Sequence, residues 1–244
     1  QPMFQLSNLA SKFRKVVLSG DGADELFAGY PTYRADQFFR VYRKVPRLFQ
    51  KVLSAGVTKW LQPSYRKVSI DYRLRQFFGS IGLTPQEAHY WWRVIFPFFE
   101  IQKILSRETL ENTDGYHPFH NFQEYFHTVE DLPFLDQTLY VDARTWLLDD
   151  ILVKIDRMSM AHSVEVRCPF LDHHLAEYAA QLPINSKMGI VGNKPIVRKS
   201  MSRRVPRLSI KGKKLGFNAP PTALPIYALP NDSRFTQNFE LDPK

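Results

Sequence analysis

The sequence predicts an α/β protein in which helices greatly outnumber strands. One short β-branched run, at residues 14–18, ends in a glycine-containing turn and is followed at once by a helix start. From about residue 31 to residue 130 the chain is aromatic, basic and interrupted by prolines, with no second convincing strand. An amphipathic segment at residues 142–162 is the clearest helix. These three observations favour a mainly helical fold with few strands.

The first strand is predicted where Arg-Lys-Val-Val-Leu, at 14–18, is stopped by Ser-Gly-Asp-Gly, at 19–22. A run of this kind is typical of a buried strand that ends in a tight turn. Residues 23–28 resemble a helix start because Asp24 and Glu25 would lie in the first turn, where acidic side chains are favourable. A strand, turn and helix N-terminus in this order can present backbone N–H groups to an anion. The turn matches neither the Gly-x-Gly-x-x-Gly nor the Walker pattern.

Aromatic residues recur at helix-like spacing between residues 31 and 130, and helix stops are expected near Pro46, Pro63, Pro97 and Pro118. We interpret these aromatic side chains as core. The alternative is a set of base-stacking platforms, which no specific motif supports.

The helix at 142–162 carries an apolar stripe and a charged stripe. The apolar stripe comprises Leu148, Ile151, Leu152, Ile155 and Ser159, and the charged stripe comprises Asp150, Lys154 and Arg157. Periodicity alone favours a solvated, salt-bridging face for the charged residues.

The chain after residue 162 is predicted to be extended and turning, because Cys168 precedes a proline. Asp172 can cap a following helix that runs through Ala180. Asn193 can cap another helix, whose apolar side is Val197, Met201 and Val205. The single cysteine excludes an internal disulfide and fits a reducing, cytoplasmic setting, and we assign it a packing role.

The net charge of +9 is unevenly distributed, because residues 178–231 contain no acidic side chain. This stretch contains ten cations: Lys187, Lys194, Arg198, Lys199, Arg203, Arg204, Arg207, Lys211, Lys213 and Lys214. Such a local field attracts polyanions, whether nucleic acid, an acidic surface or a triphosphate. The sequence has no apolar window long enough to span a membrane.

Three blocks of sequence resemble the asparagine synthetase (glutamine-hydrolysing) family. Residues 18–30, Leu-Ser-Gly-Asp-Gly-Ala-Asp-Glu-Leu-Phe-Ala-Gly-Tyr, are similar to that family's Leu-Ser-Gly-(Glu/Asp)-Gly-x-Asp-Glu block. Residues 152–172, Leu-Val-Lys-Ile-Asp-Arg-Met-Ser-Met-Ala-His-Ser-Val-Glu-Val-Arg-Cys-Pro-Phe-Leu-Asp, resemble a second block in order and register. Residues 213–217, Lys-Lys-Leu-Gly-Phe, resemble the lysine-containing loop near the end of the synthetase domain.

The resemblance implies an ATP-pyrophosphatase-like fold, also called adenine nucleotide alpha hydrolase-like. It implies an enzyme that uses ATP and Mg²⁺ to adenylate the aspartate side chain, after which ammonia from a separate glutaminase domain attacks the acyl-adenylate. Lysine, arginine and Mg²⁺ suit this chemistry because they neutralise charge that develops on phosphate oxygens.

The resemblance also implies roles for individual residues. Asp21 would lie close to the intermediate, and an acid here resembles asparagine-forming members, whereas the related β-lactam synthetases carry tyrosine. Asp24 resembles a Mg²⁺ ligand. Lys214 matches the lysine that stabilises pyrophosphate, with Lys213 as second choice. Glu25 is expected to support the helix N-terminus.

Further positions follow from the same blocks. Ser19, Gly20 and Gly22 would contact ATP near its phosphates. Candidates for the wall of the cleft are Asp150, Lys154, Arg157, Glu165 and Arg167, with Glu165 in a catalytic role. For Glu165 and Arg167 a buried structural pair is an equal alternative.

Departures from the family pattern lead to further expectations. The family's nucleotide-binding Ser-Gly-Gly-x-Asp-Ser motif is absent, as are the N-terminal cysteine and the glutaminase domain. We therefore expect residues 1–218 to be a partial synthetase domain that binds ATP poorly and does not turn over alone. We also expect its remaining strand to lack a partner strand and a large apolar patch to be exposed. Residues 219–244 are expected to be a proline-rich, irregular tail.

Other functions remain open from sequence. One is a related amidotransferase acting on a sugar or peptide acid, and another is a basic nucleic-acid-binding module. A third is a non-catalytic remnant of the family. The favoured interpretation involves neither nucleic acid nor a membrane, and it leaves the oligomeric state open, a homodimer included.

Overall fold

The computed structural model describes residues 2–60, 70–113, 115–189 and 193–206. In chain order their elements are α1 (Pro2–Ser11), β1 (Val16–Leu18), α2 (Ala23–Leu26), α3 (Pro31–Tyr42), α4 (Arg47–Trp60), α5 (Ile70–Gly79), α6 (Pro85–Trp91), α7 (Phe98–Ile101), α8 (Arg107–Asn112), α9 (Phe119–Thr128), α10 (Phe134–Asp142), a π-helical segment (Ala143–Leu152), α11 (Val153–Met160), β2 (Glu165–Arg167), a 3-10 turn (Pro169–Leu171), α12 (His173–Gln181), α13 (Ile184–Lys187) and α14 (Pro195–Met201). The described chain is thus mainly helical with a small parallel sheet, as predicted.

The described residues fall into two compact units. One contains residues 2–38, 125–189 and 193–206, and the other contains residues 39–60, 70–113 and 115–124. The predicted boundary between residues 218 and 219 lies outside the described residues. No helix among the described residues combines the length and the apolar character that crossing a membrane requires.

The sheet of the first unit consists of β1 and β2 in parallel, with Val17 opposite Val166. The predicted strand therefore exists, but the expectation that it lacks a partner is wrong, because residues 165–167 supply one. The prediction that the strand is buried is also wrong, since Val16 and Leu18 are 41% and 73% exposed. Burial of a parallel strand needs cover on both faces, and the described residues leave one face of this pair open.

The predicted helix at 142–162 is longer and less regular than its sequence suggests. It begins with α10 at Phe134, passes through the ten-residue π-helical segment and ends with α11. Because a π-helix closes i→i+5 hydrogen bonds, its side chains shift in phase relative to an α-helix. Leu147 is consequently buried and Leu148 is exposed, whereas Ile155 and Ser159 on α11 are buried as predicted.

Two predicted caps have different outcomes. The prediction for Asp172 is confirmed, because its carboxylate accepts hydrogen bonds from the backbone N–H groups of His174 and Leu175 at the start of α12. The prediction for Asn193 is wrong, because Lys194 occupies the N-cap position of α14 and makes no side-chain cap. The amide of Asn193 is used elsewhere, in a contact described below.

The core of the first unit joins the segment after α2 to the C-terminal helices. It consists of Ala28, Tyr33, Leu135, Leu139 and Met188, with Tyr30 and Ile184 packed against it. A buried lysine stabilises the same region: the Nζ atom of Lys187 lies 2.8 Å from the Asp136 carboxylate and 3.1 Å from the carbonyl oxygen of Ala180.

Aromatic side chains pack against one another in the second unit. Phe39 is buried and makes edge contacts with Phe77 and Trp92, which stack on each other with centroids 5.9 Å apart. Ring pairs of this kind add to the stability of a core beyond the area that they bury. Pro46, Pro97 and Pro118 stand immediately before α4, α7 and α9, and Pro63 lies outside the described residues.

Candidate functional site: a turn at the end of the parallel strands

The predicted phosphate turn, residues 19–22, lies at the carboxyl end of β1 and is bonded to the end of β2. The backbone N–H of Ser19 donates to the carbonyl oxygen of Arg167 at 2.8 Å, which continues the ladder by one residue. The Ser19 hydroxyl donates to the carboxylate of Asp21. In open α/β sheets this edge is where ligands bind, so Ser19 and Asp21 are placed together at a favourable position.

Gly22 is required by both its conformation and its surroundings. Its φ of 86° lies in the left-handed region, which favours glycine. A Cβ atom at this position would also overlap the side chain of Leu171, in the 3-10 turn. Gly22 therefore allows close packing between the turn and the segment after β2, while Gly20 is exposed and has open space around it.

Cys168 lies in the same neighbourhood. Burial raises the pKa of its thiol, and the negative charge of Asp21 adds to the increase. A raised pKa keeps the thiol protonated and weakens it as a nucleophile. The half-buried position and the protonated state support the packing role.

Asp24, the predicted metal ligand, is held by a cation from a distant part of the chain. The Nζ atom of Lys194 lies 2.6 Å from Oδ1 of Asp24, and the two side chains are 22% and 19% exposed. Beside them, the side-chain amide of Asn193 donates to the carbonyl oxygen of Gly29 at 2.6 Å. Residues 193 and 194 thus fix the start of α14 against residues 24–29.

Glu25 lies in the first turn of α2, as expected, and its side chain is buried. Its carboxylate accepts a 2.6 Å hydrogen bond from the hydroxyl group of Tyr30. Burial raises the pKa of Glu25, the Tyr30 hydrogen bond opposes this increase, and the negative charges of Asp24 and Asp142 add to it. The second acid of the Asp-Glu pair therefore faces the interior, and the first faces Lys194.

The remaining described candidates are solvent-exposed. Arg167 donates from Nε to the Glu165 carboxylate at 2.7 Å, and the two side chains are 64% and 56% exposed, so this pair is not the buried one considered above. Lys154 pairs with Asp150 at 2.9 Å one helical turn away, as the charged stripe predicts. Among the described residues, no hydrogen bond or ion pair joins Lys154 or Arg157 to the turn at 19–22.

Lys213 and Lys214 lie outside the described residues, so the expected role of Lys214 in stabilising pyrophosphate, with Lys213 as second choice, stays a prediction. Sequence reasoning missed three residues that hold residues 24–29 in place: Lys194, Asn193 and Tyr30. Lys194 was counted among the basic residues of 178–231, but no pattern linked it to Asp24. Only the folded chain shows that pairing.

The arrangement combines one cation-binding carboxylate with a serine and a second carboxylate at the end of a parallel strand pair. Mg²⁺ is commonly bound by one or two protein carboxylates together with substrate phosphates and water. The site around Asp24 already stabilises a positive charge, since an ammonium group lies against its Oδ1. The described residues include no group of three or more His, Cys, Asp or Glu that could enclose a metal on their own. A metal at Asp24 would therefore need phosphate oxygens as further ligands and would compete with Lys194 for the carboxylate.

Comparison with known proteins identifies the chain's relatives. The family model described as asparagine synthase matches residues 1–231. A Mycobacterium tuberculosis protein provisionally named asparagine synthetase [glutamine-hydrolyzing] is 33% identical over 221 residues, covering 90% of this chain and 32% of its own length. Asparagine synthetase [glutamine-hydrolyzing] 1 of Bacillus subtilis is 31% identical over 223 residues, covering 90% of this chain and 33% of its own. Amidase chry2 of Gibberella zeae is 29% identical over 200 residues, covering 71% of this chain and 26% of its own.

The chain spans about a third of the length of these two asparagine synthetases. No solved structure gives a significant match.

Proposed function

Because this chain belongs to the asparagine synthase family, we propose that it forms part of an ATP-dependent ligase that converts aspartate to asparagine with ammonia derived from glutamine. The observation that supports the proposal is the turn at the carboxyl ends of β1 and β2, where Ser19 is hydrogen-bonded to Asp21, and which is followed in the first turn of α2 by Asp24. We further propose an ATP-pyrophosphatase-like fold, a cytoplasmic location and a glutaminase domain as the source of ammonia.

The proposed reaction has two balanced steps. An oxygen of the aspartate side-chain carboxylate attacks the α-phosphorus of ATP, and the bond to the bridging oxygen breaks to release pyrophosphate. The nitrogen lone pair of ammonia then attacks the acyl carbon of the acyl-adenylate, AMP leaves, and one proton is lost from nitrogen. Both steps move negative charge onto phosphate oxygens, so positioned cations and N–H donors lower their barriers.

Each residue of the turn has a task in this proposal. Ser19 and the backbone of Gly20 and Gly22 contact phosphate oxygens, and the open space around Gly20 lets a phosphate approach the chain closely. Asp21 lies beside the acyl carbon and attracts the entering ammonia or accepts its proton. The Ser19 hydroxyl, which donates to the Asp21 carboxylate, fixes the orientation of that carboxylate.

Asp24 would hold Mg²⁺, which supplies charge neutralisation at the phosphates when bound. One carboxylate suffices for this because phosphate oxygens and water complete the coordination of such ions. In this structure the Lys194 ammonium group lies against the same carboxylate, so Mg²⁺ would have to displace it.

The other candidate residues keep proposed roles at the edge of the site. Arg167 lies on the strand whose carbonyl group binds Ser19, and with Glu165, Lys154 and Arg157 we propose that it lines the entrance. Lys214, on the lysine-containing loop of residues 1–218, would neutralise the leaving pyrophosphate. We propose that residues 1–218 alone do not turn over, because they lack the Ser-Gly-Gly-x-Asp-Ser string.

A second acid substrate is favoured by one comparison. Amidase chry2 aligns with 71% of this chain, so a relative with a different name is similar to most of it. A related enzyme acting on another carboxylic acid is therefore the alternative, with the same adenylation chemistry at the same turn.

Isotope transfer tests the proposal and separates the two substrates. The full-length protein is supplied with Mg²⁺, ATP, ammonia and aspartate labelled with ¹⁸O in its side-chain carboxylate. We expect asparagine, pyrophosphate and AMP in equal amounts, with one ¹⁸O atom in the AMP. Formation of ADP and phosphate would contradict adenylation. Absence of any product with aspartate, but formation of AMP with another acid, would favour the alternative substrate.

A further inference from the structure

The ion pair between Asp24 and Lys194 joins two segments that are far apart in the sequence. Its atoms are 2.6 Å apart, and both side chains are mostly shielded from water. Shielded pairs are screened less by salt than pairs on the open surface. This contact therefore differs from the exposed pairs of the same protein, such as Lys103 with Glu100, whose side chains are 65% and 45% exposed.

Gly29 provides the space in which the pair forms. A Cβ atom at this buried position would overlap both Oδ1 of Asp24 and Cε of Lys194. Gly29 is not among the glycines of positive φ, which are Gly22, Gly82 and Gly115. Room for the two side chains, and not backbone conformation, thus accounts for the missing side chain at position 29.

Two further contacts extend the attachment. Asn193 donates from its amide to the carbonyl oxygen of Gly29 at 2.6 Å, and Arg198 donates from Nε to the carbonyl oxygen of Asn193 at 2.9 Å. The attached segment, residues 193–206, is strongly basic, with Lys194, Arg198, Lys199, Arg203 and Arg204 and no acidic residue. The Asp24 carboxylate thus lies where a basic segment meets the proposed phosphate turn.

We propose that the Asp24–Lys194 pair is a latch, in which Lys194 is a positioning residue that docks residues 193–206 onto residues 24–29. We propose in addition that a divalent cation releases the latch, because it competes with the ammonium group for the same carboxylate oxygen. The released Lys194 then becomes a free cation that a phosphate can bind. The docking stands on the contacts alone, whereas the release rests on the proposed function.

Limited trypsin digestion of the full-length protein tests both parts. Initial cleavage rates after Arg198 and Lys199 are measured by mass spectrometry, with and without Mg²⁺ as the only added ligand. Trypsin does not cut between Lys194 and Pro195, so replacing Lys194 leaves the set of cleavage sites unchanged. Cleavage under gentle conditions follows the population of the locally opened state.

Lys194→Met and Gly29→Ala should both accelerate cleavage about fivefold, as loss of a partly shielded ion pair weakens local docking. Lys194→Arg keeps the charge and should restore most of the protection. Lys103→Met, which breaks an exposed pair in the other unit, is the matched control and should cleave as the unmodified protein does. Mg²⁺ should accelerate cleavage of the unmodified protein and have no effect on Lys194→Met or Asp24→Asn.

The outcomes separate the latch from the proposed function. Cleavage of both Lys194→Met and Gly29→Ala at the unmodified rate would overturn the latch. Faster cleavage of these variants without any effect of Mg²⁺ on the unmodified protein would support the latch and overturn its release by Mg²⁺ alone, whereas the assignment of Mg²⁺ to Asp24, which calls for phosphate oxygens as well, is tested separately by the Mg²⁺ dependence of pyrophosphate release. Equal acceleration by Mg²⁺ in Lys194→Met would show that release does not involve this pair, which contradicts the second part.

Discussion

Replacing Gly22 with alanine tests how the turn at the end of β1 is built. The substitution adds one methyl group at a residue whose φ is 86°, beside the side chain of Leu171. It introduces two separate costs, namely a left-handed conformation for a residue with a Cβ atom and an overlap with Leu171. The second cost, but not the first, depends on the size of residue 171.

The two costs can be estimated separately. An alanine held in the left-handed region costs about 1 kcal/mol, and forcing an extra methyl group into a packed site costs about 2 kcal/mol. Gly22→Ala should therefore lower the free energy of unfolding by about 3 kcal/mol in the unmodified chain. In a Leu171→Ala background the overlap disappears, and the same substitution should cost about 1 kcal/mol.

Urea unfolding followed by circular dichroism measures all four proteins of this double-mutant cycle, and hydrogen exchange of the amides of α2 reports the local effect. The coupling between the two positions should be about 2 kcal/mol. An equal cost of Gly22→Ala in both backgrounds would refute the packing argument. A cost near zero in the unmodified chain would refute the conformational argument as well.

Three other predictions concern titratable groups. Asp136→Asn should lower the free energy of unfolding by about 3 kcal/mol because it leaves the Lys187 ammonium group buried without its anion. Lys187→Met removes the buried charge as well and should lower the free energy of unfolding much less. Chemical denaturation of the two variants measures the difference. Burial raises the pKa of Glu25 above 4.5, so the folded state holds this proton more tightly than the unfolded state does. The free energy of unfolding should therefore fall as pH rises from 4.5 through the folded-state pKa. Glu25→Gln should flatten this pH dependence, which thermal melts taken across pH can measure. The raised pKa of Cys168 should place the midpoint of its alkylation rate by iodoacetamide above pH 9.0, and a midpoint below that value would contradict the burial argument.

Local patterns in the sequence predicted the elements that depend on neighbouring residues. The strand, the tight turn and the helix start between residues 14 and 28 are present. The cap at Asp172 and the salt bridge between Asp150 and Lys154 are also present, because each depends on residues at most four positions apart. The resemblance identified the family for the same reason, since its blocks are contiguous strings.

Long-range and cooperative features could not be predicted in this way. The Asp24–Lys194 pair depends on how α14 folds back onto residues 24–29, which no local spacing encodes. The π-helical segment moved Leu147 into the interior in place of Leu148, because an α-helical period was assumed throughout 142–162. The exposure of β1 depends on what covers the sheet, and the β-branched run of the strand itself carries no information about that.

The dependence of pyrophosphate release on Mg²⁺ tests the central claim that Asp24 faces the reacting phosphates. Aspartate-dependent release is measured in the full-length protein over a range of Mg²⁺ concentrations, for the unmodified chain, for Asp24→Asn and for Glu100→Gln, a control on the exposed pair with Lys103. Asp24→Asn should lower kcat about 100-fold or more and shift the response to higher Mg²⁺, in keeping with the loss of one group that stabilises transition-state charge. Asp24→Asn with the kcat and the Mg²⁺ response of the unmodified protein would contradict the account.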